Sequence, residues 1–74
     1  MYTSKLTGIE ISKHALTRYL ERVSPVIRNL EKDLYKVLIL HGGARNLVGN
    51  NTLTDGTITF VFDNRLLITT WRNP

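Results

Sequence analysis

The stretch TITFVFDNRLLITTW, Thr57 to Trp71, decides how this chain folds. Thr57 to Phe62 and Leu66 to Trp71 are both rich in β-branched and aromatic residues, and the Asp63-Asn64 pair between them has the chemistry of a tight turn. A β-hairpin is expected. If Phe62 and Arg65 flank that turn, Phe60 faces Leu67 and Ile58 faces Thr69, with Trp71 on the same face. That face would be the floor for the rest of the chain. Upstream, Asp55-Gly56 is a second turn signal, and Ala44 to Val48 is a short apolar-polar segment that extends the pattern to a three-stranded antiparallel meander. Gly49-Asn50-Asn51 reads as a loop or bulge.

Before the meander the periodicity is helical. Ser12 can cap a helix whose apolar stripe is Ala15, Leu16, Tyr19, Leu20 and Val23, which predicts a helix over Lys13 to Val23. Ser24-Pro25 stops it and suits a new start, with Ser24 as N-cap and Pro25 in the first turn. Val26, Ile27, Leu30, Leu34, Val37, Leu38 and His41 then recur at steps of three and four, and Gly42-Gly43 supplies a left-handed stop, predicting a second helix over Pro25 to Leu40. The first ten residues lack helical period, although Leu6, Ile9 and Ile11 suit a short extended lead-in. The expected architecture is α+β: one domain, residues 1–74, with two N-terminal helices on a three- to four-stranded antiparallel sheet.

Composition narrows the function. The chain has 74 residues, no cysteine and two histidines. Without cysteine there is no disulfide framework, thiolate metal site or cysteine nucleophile. No apolar run approaches the length of a membrane span, and Met1 to Glu10 does not resemble a signal peptide, so a soluble cytoplasmic protein is expected. Ten Lys and Arg against six Asp and Glu give a formal charge of +4, six of the cations being arginine. Such a field favours a polyanionic partner, with salt-sensitive binding.

Candidate chemistry concentrates on the first helix. His14, Arg18, Glu21 and Arg22 lie at steps of four and three, opposite the apolar stripe, and span about 12 Å at 1.5 Å per residue. A histidine can move a proton near neutral pH, and arginines can grip a phosphate and stabilise charge that develops on it. The same spacing also suits a solvated face on which Glu21 pairs with Arg18. His41, at the end of the second helix, is either a second acid-base group or a cation that favours its own helix terminus. Arg45, Arg65 and Arg72 fall at strand or turn positions near Thr69, Thr70 and Trp71, where arginine beside an aromatic could hold single-stranded nucleic acid; the aromatics also suit a core. Two histidines without cysteine do not make a metal site, so no metal or other cofactor is expected. Glycine-rich phosphate loops and nucleophile-elbow serines are absent, and Asp55 and Asp63 suit turns better than paired-carboxylate catalysis.

The run Ile11-Ser12-Lys13-His14-Ala15-Leu16-Thr17-Arg18-Tyr19-Leu20-Glu21-Arg22, followed by an aliphatic helix and the strand Leu66 to Trp71, resembles a family of short domains carrying a Ser-x-His-Ala-x-x-Arg-x-x-x-Arg helix. These look like members of the group that unites barnase, EndoU, colicin-type and RelE-like ribonuclease toxins. The resemblance covers most of residues 9 to 72. It implies a RelE-like fold and a toxin-like protein that either cleaves RNA or binds it without cutting, working without metal, with His14, Arg18 and Arg22 on the motif. Thr69 matches a hydroxyl residue of the last strand that could bind phosphate. The chain is shorter and less basic than RelE-like toxins and lacks their basic C-terminal tail.

The leading expectation is therefore RNA binding, with RNA cleavage by His14 as general acid or base. Arg18, Arg22 and Arg45 would grip phosphates, and Arg65, Thr69 and Arg72 would extend the contact. The rival expectation is a non-enzymatic phage or mobile-element protein that binds and inhibits a host protein. A protein partner, antitoxin or host target, fits either reading. So does a homodimer through an edge strand, placed at Ala44 to Val48 or Leu66 to Trp71.

Overall fold

Ser12 is where the chain turns from strand to helix. In the computed structural model, which describes residues 1–74, its backbone is extended and its hydroxyl accepts the Ala15 N–H, capping helix α1 (Lys13–Arg22). The same hydroxyl donates to the Ile68 carbonyl at 3.0 Å, so one side chain both starts the helix and ties it to the sheet. Ala15 and Tyr19 are fully buried, and Val23 and Ser24 both return their N–H to the Tyr19 carbonyl, closing the helix.

Helix α2 (Ile27–Leu40) begins later than its sequence suggests, with extended Val26 as its N-cap. Ser24 does not cap it. Its hydroxyl instead accepts from the Asn29 amide at 2.9 Å and the Val26 N–H at 3.3 Å, which closes the corner between the helices and leaves Pro25 in the connection. The far end follows expectation: Gly42 and Gly43 have φ of 92° and 95°, and the Gly43 N–H returns to the Leu38 carbonyl at 2.7 Å.

The sheet has five strands, β1 (Tyr2–Thr3), β2 (Glu10–Ile11), β3 (Asn50–Thr54), β4 (Ile58–Asp63) and β5 (Leu66–Arg72), in the order β1-β2-β5-β4-β3. It is mixed. The meander is antiparallel, as is β1 with β2, but β2 pairs parallel to β5 through Glu10 opposite Leu66 and Ile11 opposite Leu67. The expected three- to four-stranded antiparallel sheet is thus corrected on both counts. Strands of two residues show no alternation to read, and a parallel pair is permitted because β2 and β5 are separated by both helices and the meander.

Three finer expectations are also corrected. Ala44 to Val48 is not a strand: Ala44–Asn46 forms a 3-10 turn, and the third strand is Asn50–Thr54, where a loop was expected. The Asn46 amide holds that turn by donating to the His41 carbonyl at 3.2 Å. The hairpin register differs too. The turn residues are Asn64 and Arg65, with Asp63 opposite Leu66 and Phe62 opposite Leu67. Asn64 takes φ 54°, a left-handed value that asparagine tolerates. A bulge between Val61 and Phe62 absorbs Ile68, so Phe60 meets Thr70, Ile58 meets Arg72 and Thr59 meets Trp71. The odd net shift turns Trp71 away from the helices and onto the open face, where it is 43% exposed.

Between the layers lies one core of thirteen buried apolar residues. Ile58, Phe60, Phe62 and Leu67 come from the sheet, Ala15 and Tyr19 from α1, and Leu30, Leu34, Val37 and Leu38 from α2. Each of the larger aliphatic and phenylalanine side chains contributes about 1.5–3 kcal/mol by leaving water. The two-helix, mixed-sheet α+β architecture also has no helix long and apolar enough to cross a membrane.

Candidate functional site

The basic face of α1 is held from behind. Ala15 and Tyr19 fill the core beneath it, α1 packs along β5, and the Tyr19 hydroxyl donates to Asp33 on α2 at 2.5 Å. Burial first, and then the bond to the Asp33 carboxylate, push the Tyr19 phenol far above its ordinary pKa, so it stays protonated and serves as an anchor. His14 and Arg22 are exposed, whereas Arg18 is half-buried. At about 100° per residue, Arg18 and Arg22 stand about 40° and 80° round from His14 toward the Ala15 side, and Arg22 is exposed in the last turn of the helix. The three side chains form one strip from the first turn of α1 to its last.

The remaining sequence-predicted residues do not converge on that strip. Arg45 is exposed in the 3-10 turn after α2. Arg65, in the β4–β5 turn, lines a polar groove with Gly8, Glu10, Asp63 and Asn64, where the two carboxylates weaken any pull on an anion. Thr69 is half-buried opposite Val61 on the face turned away from the helices. Arg72 ends β5 and donates to the Val23 carbonyl at 2.7 Å, placing a cation at the negative end of α1. Arg65 and Arg72 flank a strand of about 23 Å at 3.3 Å per residue, too far apart to share one phosphate. His41 is engaged elsewhere, its Nε2 lying 3.2 Å from the Thr54 carbonyl at the end of β3. A neutral acceptor there requires the ring nitrogen to donate. No group of three His, Asp or Glu side chains is placed to hold a metal ion.

Two polar clusters escaped the sequence reading. Glu31 lies on the buried side of α2 and accepts from the Tyr2 hydroxyl at 2.5 Å, the Lys5 N–H at 2.9 Å and the Leu6 N–H at 3.3 Å, and from the Ser4 hydroxyl. Burial pushes its carboxyl up, but these donors outweigh it and hold the pKa below the usual carboxylate range. Its spacing from Leu34 and Leu38, three and seven residues on, places it on the apolar stripe; that spacing is the signal that could have found it. The second cluster pairs Tyr19 with Asp33, and the charges of Arg72 and Asp55 act on the Tyr19 phenol in opposite directions. Burial raises the Asp55 carboxyl, yet the N–H groups of Ile58 and Thr57 and the charge of Lys36 hold it below its ordinary value. Every buried side-chain polar atom has a partner, so neither cluster leaves a group waiting for a ligand.

No protein-family model, curated protein or solved structure matches this chain.

Proposed function

We propose that this protein binds RNA through the solvent face of α1 and cleaves it there without metal, as a small toxin-like member of the RelE-like ribonuclease group. The single observation that carries this reading is the strip of His14, Arg18 and Arg22, presented outward by a helix whose other side is locked into the core. Arg18 and Arg22 hold the phosphate, and His14 accepts the proton of the 2′-hydroxyl as that oxygen attacks phosphorus. The bond to the 5′-oxygen breaks, water supplies its proton, and the products carry 2′,3′-cyclic phosphate and 5′-hydroxyl ends. The arginines stabilise the extra negative charge of the five-coordinate phosphorus. Arg45 and Thr69 are secondary contacts reached by a longer strand. The reading implies a cytoplasmic protein.

The test is incubation of purified protein with total RNA in EDTA, wild type beside His14→Ala, with analysis of fragment ends. Cleavage that persists in EDTA, yields cyclic phosphate ends and disappears in the variant is expected. Intact RNA with wild-type protein would remove catalysis, and a salt-independent affinity would remove the phosphate grip as well.

A second reading rests on α2. Its outer side exposes Tyr35, Ile39 and Leu40, and an apolar groove of about 160 Å³ runs beside it between Leu6, Ile39 and Ala44. Apolar surface on so small a domain suits a protein partner, such as an antitoxin or an inhibited host protein. Ile39→Glu would abolish capture of such a partner without altering RNA binding.

A further inference from the structure

The sheet ends at β1 and at β3; β1 has two residues, so the longer free edge is β3, while β5 is interior, between β4 and β2, with α1 packed against it. The ladder fixes which β3 groups face outward. The Asn64 N–H donates to the Gly49 carbonyl at 2.8 Å and the Asp55 N–H to the Ile58 carbonyl at 3.3 Å. Hydrogen-bonded pairs alternate along an antiparallel ladder, so Asn51 and Leu53 bond to β4, while Asn50, Thr52 and Thr54 direct their N–H and C=O away from it. The Thr54 carbonyl accepts from His41.

Edges of this kind are usually blunted by lysine, proline or a bulge. This one has none: residues 46–54 contain no charge and no proline, and β3 pairs with β4 without a register break. A chain of charge +4 repels its own copy over most approaches, and this neutral segment is where two copies meet at least cost. The strand is also self-complementary. With Thr52 on a two-fold axis, Thr52 stands opposite Thr52 of the second copy with both its N–H and C=O outward, and Asn50 stands opposite Thr54, whose carbonyl already accepts from His41. The His41 contact sets the C-terminal turn of α2 beside this edge, and Leu40 in that turn is 65% exposed, so the same approach offers apolar surface to cover.

We infer that two copies of this chain associate by antiparallel pairing of β3 with β3, forming one sheet continuous across a two-fold axis. This is independent of RNA binding, since the α1 strip lies on the far side of β4 from the edge.

The test is sedimentation or light scattering over about 1 μM to about 1 mM, the range in which a small interface exchanges monomer and dimer. The mass is expected to double with concentration, and added salt, which screens the repulsion, should favour the dimer. Thr52→Pro removes an outward N–H that β4 does not use, so it should leave the circular dichroism unchanged and keep the protein monomeric. Thr52→Lys sets like charges opposite each other and should weaken association at least tenfold; it decides the question if the proline variant does not fold. A wild type monomeric throughout overturns the inference. So does a dimer that survives both Thr52 variants, including one that Ile39→Glu dissolves instead.

Discussion

Tyr2 donates its hydroxyl to the Glu31 carboxylate at 2.5 Å, joining the first strand to the second turn of α2 across 29 residues of sequence. Ser4, Lys5 and Leu6 complete the cradle, and Ser4 in turn accepts the Thr7 hydroxyl at 2.6 Å. The two-residue strands β1 and β2 could not hold the N-terminal segment by themselves. A buried carboxylate with all its donors present does.

Glu31→Gln is therefore expected to cost about 1–3 kcal/mol, because an amide N–H would face donors that then lack an acceptor. For a domain of this size each kcal/mol lowers Tm by about 4–8 °C. Urea unfolding would measure it. The combination with Tyr2→Phe should cost less than the sum of the two, since both remove the same bond. Strict additivity would show that the pair does not couple.

The pH dependence follows from the same groups. Glu31 and Asp55 are held below their ordinary pKa values, so in acid the folded state binds fewer protons than the unfolded one. Their stabilisation is fully present above the unfolded values near about 4 and is lost as pH falls through the lower folded values. The urea midpoint should drop between about pH 5 and about pH 2, and Glu31→Gln should flatten that drop. Tyr2 and Tyr19 act at the other limit: their raised values keep stability intact below about pH 10 and lose it as pH rises further. Tyr19→Phe should flatten the alkaline limb.

The helices and the last two strands of the meander were legible because their signals are long or chemically specific: an apolar stripe, Ser12 as cap, Gly42-Gly43 as stop, and Asp55-Gly56 as turn; the first meander strand was expected at Ala44 to Val48 and lies at Asn50–Thr54, whose polar residues carry little strand signal. The N-terminal strands were not, since two residues carry no period and their position depends on Glu31, distant in sequence. The turn at Asn64-Arg65 and the bulge at Ile68 each moved the hairpin register, and sequence alone cannot count such steps. Among the site residues, spacing placed His14, Arg18 and Arg22 on one helix face. It could not foresee that Arg72 would reach the Val23 carbonyl or that Arg65 would lie between Glu10 and Asp63, because both depend on which strands become neighbours.

Gly42 is the glycine with the tightest surroundings. Its φ is 92°, and a Cβ there would lie 2.2 Å from the Asn46 side-chain nitrogen, which is itself bonded to the His41 carbonyl. Gly42→Ala should cost about 1–3 kcal/mol from backbone strain, with additional loss as Asn46 is displaced from the 3-10 turn. At Gly43, φ is similar but nothing lies within 4 Å of the added methyl, so Gly43→Ala should cost less. Thermal melts of the two variants side by side would separate strain from collision; equal losses would assign the whole effect to the backbone.

The arginines should divide by what each touches. Arg72→Ala removes a charged donor from the last turn of α1 and should lower stability by about 0.5–2 kcal/mol, leaving RNA affinity at a given salt concentration nearly unchanged. Arg18→Ala with Arg22→Ala should do the reverse. Neither guanidinium is needed to hold the core, so Tm should move by only a few degrees, while RNA affinity falls and the slope of log K against log salt shrinks by about 1.4, at about 0.7 for each of two lost single-strand phosphate contacts. Filter binding across a salt series, run beside urea unfolding on the same proteins, reads both quantities. An Arg72→Ala protein that keeps its stability and loses its salt slope would move the phosphate grip from α1 to the end of β5.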